Sequence, residues 1–280
     1  MAEITVAAVK ALRERTGLPM MDCKRALEEA AGDQQKAIEL LRKAGAKTME
    51  KRAGRAALAG RIAVYADPQA GAGAMVDLRC ESAPVASNAE FLQLANDLAR
   101  QLADGRGAAT PEELLAQPSP RRAGATLKQQ FEELNHRIRE VFKLERIVRL
   151  GGTCGGYAHH NGAAGVLLEV EGGTAELARD ICMHIAAMRP KVVTKEQVDP
   201  AMVAKEREIL TEAARKEGES EKKIEKMVEG RLRKFFYAQF CLAEQPIANE
   251  MKFGEKTVGK VAQEAGMKLI RFVHWELPKE

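Results

Sequence analysis

Three kinds of chemistry can be sought in the residue types and their spacing, and each falls short. Gly151-Gly152-Thr153-Cys154-Gly155-Gly156 is glycine-rich enough to cradle a phosphate, but no lysine follows it and the next residues read as a strand, so a tight turn fits better. Cys154 with His159 and His160, or Cys182 with His184, offers thiolate and imidazole ligands, yet neither set has the spacing of a structural zinc site. No metal is expected. The third possibility, a nucleotide-hydrolysing loop, would need a Walker A sequence, and there is none. The chain therefore reads as a protein that acts through its surfaces, without covalent chemistry and without a cofactor.

The segment best suited to that is the first 45 residues, which the apolar spacing divides into three short helices. Thr5 is a candidate N-cap, Ala8, Val9 and Leu12 share a face, and Gly17 and Pro19 forbid continuation. Cys23, Ala26, Leu27 and Ala30 form a second buried stripe that Gly32 ends. Asp33 caps a third helix, in which Ala37, Ile38 and Leu41 repeat the stripe up to a stop at Gly45. Met20 and Met21 open the second helix, where at least one is expected to be exposed. Either they form a soft contact surface, or both fill gaps between the helices.

Composition narrows the class. With 280 residues, 45% of them hydrophobic and 30% charged, the chain can bury a real core in two or three domains. It has no run of 18 apolar residues and no basic-then-apolar opening after Ala2-Glu3-Ile4-Thr5, so no membrane association is expected. Cys23, Cys80, Cys154, Cys182 and Cys241 are odd in number and widely spread, as reduced core thiols of a cytoplasmic protein would be. The net charge is only +4 and aromatics make up 4%, so nucleic acid is not the expected partner. The basic stretch 47–61 reads as a solvated linker, partly helical, or as a weak RNA or protein contact.

Beyond the linker one plan occurs twice. Residues 61–65 and 74–81 read as strands joined by a turn at Asp67-Pro68 and followed by a helix over 90–103. Residues 156–160 and 165–170 repeat this around Asn161-Gly162, a two-residue hairpin signal, with a helix over 176–188. Phe91 is expected inside. Between the two units lie a proline-rich excursion over 104–126, with one short helix at 111–116, and a long helix over 127–148. Charged residues 200–241, broken at Glu217-Gly218-Glu219-Ser220, fit two antiparallel helices. The fold class expected is α+β: a three-helix module (1–46), a basic linker (47–60), a first core subdomain (61–150) and a second (151–280) with a helical hairpin inserted at about 200–241. Each core subdomain would be a small antiparallel sheet covered by helices.

Val9-Lys10-Ala11-Leu12-Arg13-Glu14-Arg15-Thr16-Gly17, Met20-Met21-Asp22-Cys23-Lys24-Arg25-Ala26-Leu27 and Ala37-Ile38-Glu39-Leu40-Leu41-Arg42-Lys43 closely resemble the N-terminal module of the elongation factor Ts family. That family exchanges guanine nucleotide on elongation factor Tu. The resemblance implies a ubiquitin-associated-like module docking through Leu12, Met20 and Met21, a two-part core, and a coiled-coil protrusion at 200–241 that self-associates in some members. The bland reading of that hairpin, solvated and partnerless, stands beside it. Residues 242–247, 257–261 and 270–273 match the family's final sheet segment, and the sequence then leaves no room for the C-terminal helix of many relatives. His184, in Met183-His184-Ile185-Ala186-Ala187-Met188-Arg189-Pro190, matches a histidine near the GTPase surface, or is a capped core histidine.

Two stretches depart from the family's pattern. Where it reads Gly-Glu-Asn-Ile-x-Val-Arg-Arg, residues 139–146 retain only Glu140 and Arg146. Where it reads Thr-Asp-Phe-Val-Ala, with the aspartate and phenylalanine wedged beside the GTPase's magnesium site, this chain has Ser82, Ala83 and Pro84, followed by Val85 and Ala86, with Asn88 also retained. Ser82, Ala83, Pro84, Val85, Ala86 and Asn88 are the implied exchange loop. Pro84 should stiffen it and push Ala83 toward extended geometry. Two functions follow: an exchange factor with an altered wedge, or a GTPase-binding stabiliser or chaperone-like partner with weak exchange activity.

Overall fold

The computed structural model describes residues 4–52, 54–67, 71–218 and 220–278. The chain divides into two compact units: Met1–Ala63 with Val76–Ile147 and Leu277–Glu280, and Val64–Met75 with Val148–Glu276.

The first unit opens with three helices. α1 (Val6–Thr16) starts at Thr5, whose hydroxyl accepts from the Ala8 N–H at 3.2 Å, and ends at Gly17 with φ 67°. α2 (Met20–Glu29) follows Pro19 directly. Asp33 then accepts from the Gln35 and Lys36 N–H groups at 2.9 and 3.1 Å and opens α3 (Gln34–Glu50). Val9, Leu12, Cys23, Ala26, Leu27, Ala30, Ala37 and Leu41 bury the expected stripes in one core.

β1 (Ala59–Asp67) and β2 (Ala72–Cys80) pair, and β2 lies between β1 and β3 (Lys143–Gly151). The Pro68 end of the turn expected at Asp67-Pro68 is outside the described residues. α4 (Ala83–Ala86) is a single turn, after which Asn88 Oδ1 accepts from the Glu90 N–H at 2.9 Å and starts α5 (Ala89–Asp104). α6 (Pro111–Leu115) is the short helix of the proline-rich excursion. α7 (Leu127–Ile138) begins with a reciprocal capping box between Thr126 and Gln129. Phe91 is fully buried, edge-on to Phe142 at 5.0 Å.

The structure corrects three expectations here. Gly45 does not end α3; a Cβ there would lie 2.7 Å from the His136 ring, so the glycine serves the close approach of α3 to α7. The helix expected over 127–148 stops ten residues early, before Arg139 with φ 64°, and from Lys143 the chain is β3. The reason lies on β2: the fully buried Asp77 carboxylate takes Arg146 from the neighbouring strand, and Leu144 and Leu150 are buried on the same face of β3. Ala83 is not extended but helical, because Pro84 sits in the first turn, where its missing N–H has no partner to lose.

In the second unit, β4 (Thr153–Ala158), β5 (Ala164–Glu171) and β6 (Lys268–Glu276) form an antiparallel sheet in that order, Gly156 facing Leu167 and Leu167 facing Val273. α8 (Ala175–Met188) covers it closely: a Cβ at Gly155 would stand 2.6 Å from Ala178 Cβ. α9 (Pro200–Lys216) and α10 (Glu221–Arg231) pack through Ala214, Ile224 and Val228 and are bridged at the surface by an Arg207–Glu229 ion pair. A π-helical stretch, Leu232–Tyr237, runs into α11 (Ala238–Phe240). α12 (Glu250–Phe253) and α13 (Val258–Glu264) precede β6. Ile224, Val228, Leu232 and Phe236 form a small core beneath α9.

Two further corrections belong to this unit. Asn161-Gly162 is not a two-residue turn: only Gly162 has positive φ, 73°, and the hairpin closes where the His159 N–H meets the Ala164 carbonyl. Residues 242–247 and 257–261 are not sheet. Leu242–Glu244 is a 3₁₀ turn, Thr257 caps α13, and the only sheet-like contact between these stretches is a Pro246–Thr257 bridge.

Candidate functional site

The docking residues split by burial. Met20 and Met21 are 43% and 62% exposed at the start of α2, side by side on the surface. Leu12 is fully buried among α1, α2 and α3, where it holds the helices that present the two methionines. Asp22, next to Met21, pairs with the guanidinium of Arg139 at the end of α7.

The exchange-loop residues form α4 and its flanks. Ala83 and Pro84 are exposed, Ser82, Val85 and Ala86 half-buried, and Asn88 is the N-cap of α5. At the base of this segment the Glu140 carboxylate accepts from the Ser82 hydroxyl at 2.6 Å and from the Ser82 N–H at 3.1 Å. Glu81 accepts from the Val141 N–H at 2.7 Å and faces Arg55 at 3.2 Å and Arg52 at 3.8 Å. Burial pushes the Glu81 carboxyl up, but the Val141 N–H and the two guanidiniums outweigh it and hold the group below the usual carboxylate range. Glu140 and Arg146, the two residues matching the family's motif, thus hold the base of α4 and the buried Asp77. Sequence reasoning singled out neither as a site residue. The signal available was that the resemblance of residues 139–146 to the family rests on these two.

His184 lies in the second unit, 3% exposed on α8. Its Nδ1 accepts from the Ala248 N–H at 3.1 Å, so Nε2 carries the proton and donates to Gln245 Oε1 at 2.9 Å. Burial pushes its pKa below 6.5, against a smaller opposing effect of Gln245. The imidazoles of His136 and His274 are pushed down by burial as well. Because the unfolded chain binds these protons first, stability from these groups is complete above about pH 6.5 and is lost as pH falls toward the folded-state values. The urea midpoint should therefore drop between pH 7.5 and 5.5, above the range where carboxylates titrate; a flat profile would contradict the neutral, buried imidazoles.

The remaining candidates do not assemble. Among the described residues no group of three or more His, Cys, Asp or Glu side chains is placed to hold a metal. Cys154 is buried in β4, whereas His159 and His160 sit in the loop beyond it, with His159 Nδ1 bonded to Asn161. All five cysteines are free and buried, and burial raises the Cys80 and Cys154 thiols to about 12 and about 11, leaving both inert. Gly152, φ 77°, makes the β3–β4 turn. Among the described residues no helix is long and apolar enough to cross a membrane.

These observations define a class: a mixed helix-and-sheet protein in which, among the described residues, the singled-out side chains form no metal-holding cluster. The model of the family described as Elongation factor TS matches residues 81–279. Proteins named Elongation factor Ts from Thioalkalivibrio sulfidiphilus and Methylococcus capsulatus are 42% and 41% identical over 98% of this chain and 92% of theirs. One from Corynebacterium urealyticum is 42% identical over 99% of both chains. The chain belongs to the elongation factor Ts family.

Proposed function

We infer that this chain binds elongation factor Tu in the cytoplasm and promotes release of GDP by distorting the GTPase's phosphate and magnesium site, so that GTP can reload. The observation that carries the reading is the pairing, within one compact unit, of an exposed methionine pair with a short, externally braced helix at the implied exchange loop. A G protein holds GDP through backbone amides and Mg²⁺, so a partner that bears on that loop weakens the nucleotide with no covalent step. Met20 and Met21, on a ubiquitin-associated-like module, supply the docking contact. Ser82, Ala83, Pro84, Val85, Ala86 and Asn88 supply the loop, and His184 supports a second contact from within α8. α9 and α10 act as a coiled-coil protrusion, and their exposed Met202 and Ile209, with Phe235 beyond them, suit self-association.

A second reading is a binding stabiliser with weak exchange activity. It is favoured by the small side chains of the loop, since Ala83 and Pro84 offer far less area than an aromatic wedge. Stopped-flow release of a fluorescent GDP from the same organism's elongation factor Tu separates the two. Acceleration by orders of magnitude supports exchange; binding without acceleration supports the stabiliser and overturns the first reading.

A further inference from the structure

We propose that Glu140 is a positioning residue that holds the loop helix α4 in its working place relative to the methionine pair; this rests on the exchange reading above. Two dipeptides far apart in sequence clasp each other reciprocally. Glu140 accepts from the Ser82 N–H at 3.1 Å and the Ser82 hydroxyl at 2.6 Å, while Glu81 accepts from the Val141 N–H at 2.7 Å. Each acidic side chain thus binds the backbone of the residue that follows the other. Charge-assisted bonds of this kind are about twice as strong as neutral ones.

Ser82 shows what the clasp displaces. It occupies the N-cap of α4, where a serine hydroxyl ordinarily accepts from an N–H of the first turn, yet it makes no such bond because the hydroxyl is turned to Glu140. A four-residue helix with no side-chain cap cannot hold itself, so its placement comes from outside.

The residue before Glu140 faces the other way. Arg139 pairs through its guanidinium with Asp22, beside Met21, and its carbonyl accepts from Arg52, which also faces Glu81. Its backbone sits at φ 64°, the left-handed conformation in which the chain leaves α7, uncommon for a non-glycine residue. Arg139 and Glu140 thus connect the methionine-bearing helix to the loop helix within the span of one dipeptide. If α4 were loose, partner docked through Met20 and Met21 would meet the loop in its working place only part of the time. The maximal release rate would fall by that fraction while docking persisted.

The test uses the full-length chain in the fluorescent-GDP assay, titrated to saturation, together with hydrogen exchange of residues 82–88. Glu140→Ala should lower the maximal release rate about ten-fold and speed exchange of those amides, with the half-saturating concentration changing less than about two-fold. Glu140→Gln should restore most of both, because the amide can accept from the Ser82 N–H and donate to the Ser82 hydroxyl. A merely structural role would move rate and half-saturation together, expose the amides of α1–α3 as well, and overturn the proposal. An unaltered chain that fails to accelerate release overturns the exchange reading and this role with it. An unaltered chain that accelerates, matched by Glu140→Ala, overturns only the role of Glu140.

Discussion

Replacing Asp77 with alanine should lower folding stability by about 3–5 kcal/mol, the cost typical of removing one partner from a buried ion pair. Asp77 is fully buried in the middle of β2, the central strand of its sheet. Arg79 approaches it with two nitrogens, Nη2 at 2.6 Å, and Arg146 Nε reaches it from β3 at 2.9 Å. The Arg79 side chain is only 8% exposed, so without the carboxylate its guanidinium would lose its hydrogen-bonded counterion with little water to replace it. Asp77→Asn keeps the shape and two acceptor lone pairs and should fall between the alanine variant and the native chain. Urea denaturation reads this directly as a shift in midpoint at unchanged slope. A midpoint unmoved by Asp77→Ala would mean that the guanidiniums reach solvent and that the network does not order β3.

The second large effect is on binding. Changing Met20 and Met21 together to serine should weaken binding to elongation factor Tu by about 2–3 kcal/mol, roughly 30- to 150-fold, since burying a methionine contributes about 1.5–3 kcal/mol and these two are already partly buried. Folding stability should barely change, because the variant alters exposed positions at a helix start and leaves the Leu12, Cys23 and Leu27 core intact. Calorimetric titration against the GTPase measures the affinity. An unchanged affinity would show that the methionine pair lies outside the contact.

The parts of the fold that follow from local chemistry were legible in the sequence. Thr5 and Asp33 start helices where side-chain oxygens meet free N–H groups, and the stripe from Cys23 to Ala30 is buried as its spacing requires. What could not be read depended on distant partners. Arg139 ends α7 in a left-handed conformation that ordinarily announces itself with glycine, and β3 forms because a buried carboxylate on β2 draws Arg146. Gly45 resembles a helix stop until His136 is seen above it. At the candidate site the exposure of the methionine pair was one of two readings open to the sequence, whereas the clasp between Glu140 and Ser82 joins residues nearly sixty positions apart and carries no local mark.

On the exchange reading, this chain and GDP oppose each other on one GTPase. Linkage makes that reciprocal: whatever factor the chain removes from GDP affinity, GDP removes from affinity for the chain. The direct measurement is the dissociation constant of this chain for elongation factor Tu, determined once without nucleotide and once with saturating GDP and Mg²⁺. On that reading GDP should weaken binding at least about ten-fold, within the range usual for coupled sites. Equal affinity in the two states would contradict it, because a partner with no preference between them cannot drive the nucleotide out.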